Sequence, residues 1–368
     1  MQKKEFAFAP VYSITPRIAA ALMRVEAMRE AVRLLPITTR VLRHLRETAR
    51  LEATHYSTMI EGNRLTPDEV ALALGGEQHF PGRERDRQEI EGYYAGLSEV
   101  ERLAARGETV TKAVVQRLHA LVMGGGRMHK KATPWRDGQN VIRDSRSNSM
   151  VYLPPEAQDV ERLMAAWLAF VNRADDLPVP LRAALAHYQF ATIHPFYDGN
   201  GRTARLLTTL ILHRGGYDLK GIYALEEYYA RDLQGYYQAL TVGPSHNYYL
   251  GRAEADLTGW VGYFIEGMAA SFEKVRDEAQ REAMKGSQDQ SRLLRGLEAR
   301  QRRVLQLFEA SRTVAARQVG EALGLQQRAT AQLCQRWVEG GFLQMENTSR
   351  KARLYRLSDR YEEMLEAR

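Results

Sequence analysis

Residues 181–212 constrain this chain most: two apolar helical runs stand on either side of a short loop made almost wholly of special-purpose residues. The run Leu181–Ile193 is helical in pattern, and His194-Pro195 ends it, because the residue before a proline is pushed out of the αR region. Asp198-Gly199-Asn200-Gly201 reads as a tight turn, with glycines free to take positive φ. Helical periodicity resumes over Arg202–Leu212, with Ala204, Leu206, Leu207, Leu210 and Ile211 apolar, and Gly215-Gly216 closes it. The order is helix, glycine loop, helix N-terminus.

Exposed backbone N–H groups at such a terminus bind anions, above all phosphate. Arg202 and Arg205 lie three apart, on one face near the start of the second helix. Cations there oppose the helix dipole, which points to an external anion or acid as their partner. Within the same loop His194 is a candidate general base. Asp198 is a candidate hard oxygen ligand for Mg²⁺, and the Gly/Asn loop with Arg202 is a candidate polyphosphate cradle. Taken singly, each residue reads first as part of a plain helix–turn–helix corner in which Asp and Asn cap. Six of them within nine positions favour a site.

The string from His194 to Arg205, HPFYDGNGRTAR, resembles the core motif of the Fic family, HPFx[DE]GNGRxxR, at every specified position. The resemblance implies a mainly α fold, a Fic-type helical bundle with a β-hairpin flap. It also implies transfer of AMP from ATP to Tyr, Thr or Ser hydroxyls of a target protein, and of the protein itself. A subgroup with lysine at the position of Gly201 phosphorylates instead, so glycine here implies AMP transfer. By the same resemblance His194 takes the hydroxyl proton and Asp198 holds Mg²⁺. Gly199, Asn200, Gly201, Arg202 and Arg205 meet the phosphates, and Phe196 anchors the loop in the core.

A second helix, predicted from Thr38 through Ile60, ends at Ser57-Thr58-Met59-Ile60-Glu61-Gly62-Asn63, where Gly62 or Asn63 suits an αL C-cap. Glu61 is an anion where the dipole disfavours one, so either water or a cation from elsewhere in the fold must meet it. Ser57-xxx-Glu61-Gly62 is similar to the inhibitory motif [ST]xxxE[GN] of many Fic proteins. That likeness implies that Glu61 pairs with Arg205, blocks the ATP γ-phosphate and holds the α-phosphate out of line. In some relatives this glutamate also positions a water that removes AMP, which the likeness permits here. Thr66-Pro67-Asp68-Glu69 then reads as a capping box opening another helix.

Residues 134–155 change character. Val141-Ile142 and Met150–Leu153 are β-prone runs around the polar stretch Asp144–Ser149, which predicts a hairpin. Its pattern RxxQxxI…YxPP resembles the Fic flap, which grips a target's backbone by strand addition and makes Val141 and Ile142 target-positioning residues. An inert surface hairpin is the plain alternative. Residues 221–240 form a Tyr-rich helical stretch, usually core. In the family a YYxxL segment here lines the adenine pocket, which makes Tyr237 a candidate. His119 and His129 are read as structural or exposed, having no partner at metal spacing, and His187 as a satisfied core histidine rather than a second base.

The other predicted elements are an extended arm over residues 1–16 and helices over 17–35, 69–125, 156–173 and 253–284. Lys285–Ser291 is expected to be a linker. Beyond it, helices over 303–310, 316–323 and 326–339 precede strands over 342–345 and 352–357, joined by a basic turn at Asn347–Lys351. That order is similar to a winged helix-turn-helix. Gln326, Gln327, Arg328 and Gln332 suit groove contacts, and Lys351 suits the wing. Residues 291–368 hold fifteen Lys and Arg against nine Asp and Glu, most of the chain's net charge of +7. DNA binding and a docking or dimerisation module are both open readings. The expected division is therefore 1–100 with the inhibitory helix, 101–284 catalytic, 285–291 linker and 292–368 winged helix. A DNA-binding regulator that only senses nucleotide through its Fic part is the alternative function. The family's frequent dimers suggest a homodimer.

Hydrophobic content of 44% and charged content of 26% are those of a soluble globular protein. No apolar run approaches the roughly 20 residues of a membrane span, and the start MQKKEFAFAP lacks signal-peptide character. A single cysteine, Cys334, excludes an intramolecular disulfide framework, fits a reducing cytoplasm and reads as buried filler.

Overall fold

In chain order the helices preceding the hairpin are α1 (Pro16–Leu34), α2 (Thr39–Ile60), α3 (Pro67–Gly75), α4 (Glu84–Ala105) and α5 (Lys112–Met123). The hairpin strands β1 (Ile142–Arg143) and β2 (Met150–Tyr152) pair antiparallel, with Ile142 opposite Tyr152. After it come α6 (Ala157–Val171), α7 (Val179–Ile193), α8 (Asn200–Arg214), α9 (Glu226–Arg231), α10 (Leu233–Leu240) and the long α11 (Thr258–Gly296). The computed structural model describes residues 7–76, 80–127, 131–143, 150–243, 245–347 and 353–366. The chain forms two units, Met1–Arg33 with Arg46–Arg276, and Leu34–Leu45 with Asp277–Arg368.

The first unit is built around α7. From Pro180 to Ile193 nearly every residue of this helix is buried, as expected of a helix that is apolar all round. Buried indoles need an acceptor. Trp167 of α6 donates to the Ala186 carbonyl at 2.8 Å, and Trp260 of α11 donates to the Ala184 carbonyl at 2.7 Å. These two bonds key α7 to its neighbours. Gly96 of α4 admits α8: a Cβ there would meet Leu206 Cδ1 at 2.5 Å. The start of α8 is thereby carried against α4 and α5, beside the end of α7.

Residues 69–125, expected as helix throughout, are instead three helices. Gly76 at φ 74° caps α3, and the Pro81-Gly82 turn precedes α4. Gly107 at φ 63° ends the next segment, and Thr111 caps α5 by accepting from Val114 N. The Tyr-rich stretch also breaks, at Asp232, whose carboxylate accepts from Gly235 N and starts α10. Lys285–Ser291, expected as a linker, is helical backbone inside α11. One glycine and no proline do not stop a helix already propagating from Thr258. The arm runs extended over residues 7–15, with Val11 bridged to Asp256.

The second unit contains α12 (Ala299–Leu305), α13 (Leu307–Ala310), β3 (Val314–Ala315), α14 (Ala316–Leu323), α15 (Gln327–Glu339), β4 (Leu343–Met345), β5 (Leu354–Leu357) and α16 (Asp359–Glu366). Its sheet has the antiparallel order β3-β5-β4. Val304, Val319, Leu333, Trp337, Phe342 and Tyr355 form its core, and Cys334 is fully buried among them. β3 and α16 were not expected, and the first expected helix here is two short pieces. Lys351 and most of the expected wing turn lie outside the described residues, as do His129 and the hairpin turn Asp144–Ser149. Among the described residues no helix is long and apolar enough to cross a membrane.

Candidate active site

His194 is the C-cap of α7, at φ 52° and ψ 59°. A non-glycine residue in the left-handed region is uncommon and is held there by its surroundings. Its N–H bonds the Phe190 carbonyl at 3.0 Å, and its own carbonyl accepts from Arg136 Nε at 2.9 Å. Burial pushes the imidazole down to about 4, and the nearby Arg136 cation presses the same way against the Ala191 carbonyl, Glu61 and Asp198. The helix C-terminus would favour a protonated ring; desolvation wins, and the imidazole is neutral at pH 7. With its proton on Nδ1, 3.4 Å from the Ala191 carbonyl, it leaves Nε2 as an acceptor.

The loop that follows is clasped from within. Asn200 accepts from Phe196 N at 2.9 Å and donates to the Phe196 carbonyl at 2.8 Å. The side-chain amide expected at the phosphates is thus engaged by the loop's own backbone. Phe196 is only 1% exposed and stacks on His119, ring centroids 3.6 Å apart and planes at 17°. His119 Nε2 meets the Asp198 carbonyl at 2.8 Å. Gly199 takes φ 72°, where a side chain would also collide with Met123 Sδ. The Asp198 carboxylate is 55% exposed, accepts from Gly199 N, and reaches Arg85 and Arg202 only at 3.8 Å. Among the described residues no three His, Cys, Asp or Glu gather as a metal cage. A single open carboxylate fits Mg²⁺, which binds through one or two carboxylates and substrate phosphates.

Arg202 and Arg205, in the first two turns of α8, are both buried. The anion at the end of α2 has found its cation: Arg205 Nη2 donates to Glu61 Oε1 at 2.8 Å. Ser57 completes the grip, its hydroxyl accepting from Arg205 Nε at 2.7 Å and its carbonyl from Nη2 at 2.9 Å. Gly62 at φ 95° turns the chain, and Asn63 N returns to the Thr58 carbonyl at 3.1 Å. Arg202 lies 3.6 Å from Glu89. Arg205 Nη1 and Arg202 Nε are buried without a hydrogen-bond partner among the described residues. Unspent buried donors at a helix N-terminus are a place for an anion.

Tyr237 projects from α10, and its hydroxyl donates to the Ile60 carbonyl at 3.3 Å, so it closes the end of α2 beside Glu61. Ile142 is in β1; Val141 lies just before the strand, its N–H held by Asn140 Oδ1. His187 is a satisfied core residue. Thr208 spends its only proton on the Ala204 carbonyl, so His187 Nδ1 donates to Thr208 and Nε2 accepts from Tyr236. Sequence reasoning missed what Arg136 and His119 do here. Both hold main-chain carbonyls, which leave no mark in a sequence.

Residues 109–212 match the Fic/DOC family. Over that span the chain is similar to the Fic/DOC family. It is 30% identical over 227 residues to Protein adenylyltransferase fic-1 of Caenorhabditis elegans, covering 59% of this chain and 43% of that protein. Against Protein adenylyltransferase Fic of Nematostella vectensis it is 29% identical over 202 residues, covering 53% and 45%. The chain thus spans less than half the length of these Fic relatives. The fold is also that of a Fic family protein from Desulfovibrio desulfuricans, with TM-score 0.62, 22% identity and 96% and 99% of the two chains covered. A Fic-1 fragment from C. elegans gives 0.57 at 25% identity, with 73% of each chain covered.

Proposed function

We propose that this protein transfers the adenylyl group of ATP to a hydroxyl of a protein, itself included, and that Glu61 holds it inactive. The observation that carries the reading is the start of α8. There two buried arginines keep unspent N–H groups beside a histidine that burial holds neutral. His194 Nε2 takes the proton of the target hydroxyl. The oxygen attacks the α-phosphorus, the bond from that phosphorus to the bridging oxygen breaks, and pyrophosphate leaves. Arg202, Arg205 and the backbone N–H groups of the loop offset the charge, the positioning and electrostatics on which phosphoryl transfer depends. Asp198 would hold Mg²⁺, which supplies neutralisation of phosphate charge when bound.

Inhibition follows from the pairing. With Glu61 on Arg205, its Nη2 is taken up and a carboxylate stands where phosphate charge would come, a like-charge contact that opposes productive binding. Tyr237 is available to the adenine once its bond to the end of α2 opens, and Val141 with Ile142 presents the target's backbone. The test is Glu61→Gly with Mg²⁺ and ATP labelled at either the α- or the γ-phosphate. Label from the α position alone on the protein is expected. Label from the γ position makes the activity phosphorylation instead.

A second reading is a DNA-binding role for the second unit. It rests on α15, whose Gln326 N-cap and residues Gln327, Arg328, Gln332 and Arg336 are exposed together while Leu333 and Trp337 face the core. Weakened, salt-dependent DNA affinity in Arg328→Ala would support it; salt-insensitive or absent binding would remove it.

A further inference from the structure

Arg136 is buried, 3% exposed, yet among the described residues all its side-chain hydrogen bonds go to main-chain carbonyls. Nε donates to His194, Nη1 to Gly138 at 2.9 Å, and Nη2 to Pro155 and, at 3.5 Å, to Ile193. The Arg136 N–H adds a bond to the Pro195 carbonyl at 2.9 Å. Gly138 precedes β1 and Pro155 follows β2, so these two carbonyls belong to the two stems of the hairpin. Ile193, His194 and Pro195 are the turn that ends α7. One planar fork therefore ties both feet of the hairpin to the backbone that holds His194 in its left-handed conformation. A lysine, with a single point of charge, does not reproduce that fork.

We propose that Arg136 is a positioning residue that sets the hairpin against His194 and fixes the orientation of its imidazole. The inference rests on the reading of His194 as base. Supporting it, a guanidinium with no carboxylate partner among the described residues leaves a positive charge beside the ring. Among the described residues, Glu61 and Asp198 press the opposite way on His194. Arg136 thus has two separable effects, a charge that disfavours imidazolium and a clamp that fixes geometry.

The experiment places Arg136→Gln and Arg136→Lys in full-length Glu61→Gly protein. Three quantities are read: α-label incorporated into the protein, ATP affinity, and the pH titration of His194 by NMR, its signal assigned by loss in His194→Ala. For Arg136→Gln, transfer falls about 100-fold, the cost of roughly 1 Å of misplacement, while ATP affinity stays within about twofold because no phosphate contact changes. The His194 midpoint rises, but stays below the ordinary value of about 6.5 because burial is the larger cause of its depression. Arg136→Lys keeps the midpoint low but still loses transfer. An unchanged midpoint and undiminished transfer in Arg136→Gln overturn the inference, and so does equal transfer by Arg136→Lys and the parent. If Arg136→Gln does not fold, the lysine variant decides. If the Glu61→Gly parent takes no α-label, the functional reading fails while the titration still judges this one.

Discussion

Gly201→Ala tests the inhibitory arrangement without touching either charged partner. A Cβ at position 201 would stand 2.2 Å from Glu61 Oε1 and 3.2 Å from Arg205 Nη1. The position is helical, so alanine strains no backbone there and removes up to about 1 kcal/mol of glycine's helix penalty. Glu61 must therefore swing off Arg205 and give up the 2.8 Å bond. A hydrogen bond between charged groups is worth about 1.5–3 kcal/mol. Because 27% of the Glu61 side chain already faces solvent, the lower half of that range applies, and activity should rise about 10- to 50-fold. The assay is the rate of α-label incorporation, with ATP affinity measured beside it. Gly201→Ala and Glu61→Gly remove one interaction, so the double variant should be no faster than the faster single one. If Gly201→Ala binds ATP normally yet labels no faster than wild type while Glu61→Gly does, the reasoning fails.

Two further outcomes follow from burial. His187 is held down to about 3, and His194 and His213 to about 4, by burial first. The unfolded chain binds protons near pH 6.5 that the native state refuses, so stability is full above that pH and declines as pH falls toward 4. Tm should be lower at pH 5 than at pH 7, and His187→Gln should lessen the difference; equal Tm values at the two pH values would contradict this. Phe196→Ala removes a ring that is 1% exposed and stacked on His119, and should cost about 3–5 kcal/mol in urea unfolding. A loss below about 1 kcal/mol would mean the site has collapsed around the gap, against the close packing described.

The helix–loop–helix at the centre was legible because proline, glycine and periodic leucines each carry a local physical signal. Glu61 was legible in part: a carboxylate at a helix C-terminus is locally wrong, and only the resemblance named Arg205, 144 residues away in the chain. Asn200 was read toward phosphate because its type suits that chemistry, but whether an amide faces a ligand or its own loop depends on packing. Arg136 was readable only as part of a flap pattern, since its acceptors are backbone carbonyls brought together by the fold. The breaks at Gly76, Gly107 and Asp232 were written in the residues and outweighed by helical periodicity around them. The persistence of α11 through residues 285–291 shows the reverse error, polar composition taken for a loop where nothing in it breaks a helix.

The central claim is that His194 drives AMP transfer and Glu61 restrains it. Its most direct measurement is α-phosphate label incorporated from ATP with Mg²⁺ by wild type, Glu61→Gly and Glu61→Gly/His194→Ala. Weak label is expected in wild type, strong label in Glu61→Gly, and none in the double variant. Equal label with and without His194, or no gain on removing Glu61 from a wild type that labels, would contradict it.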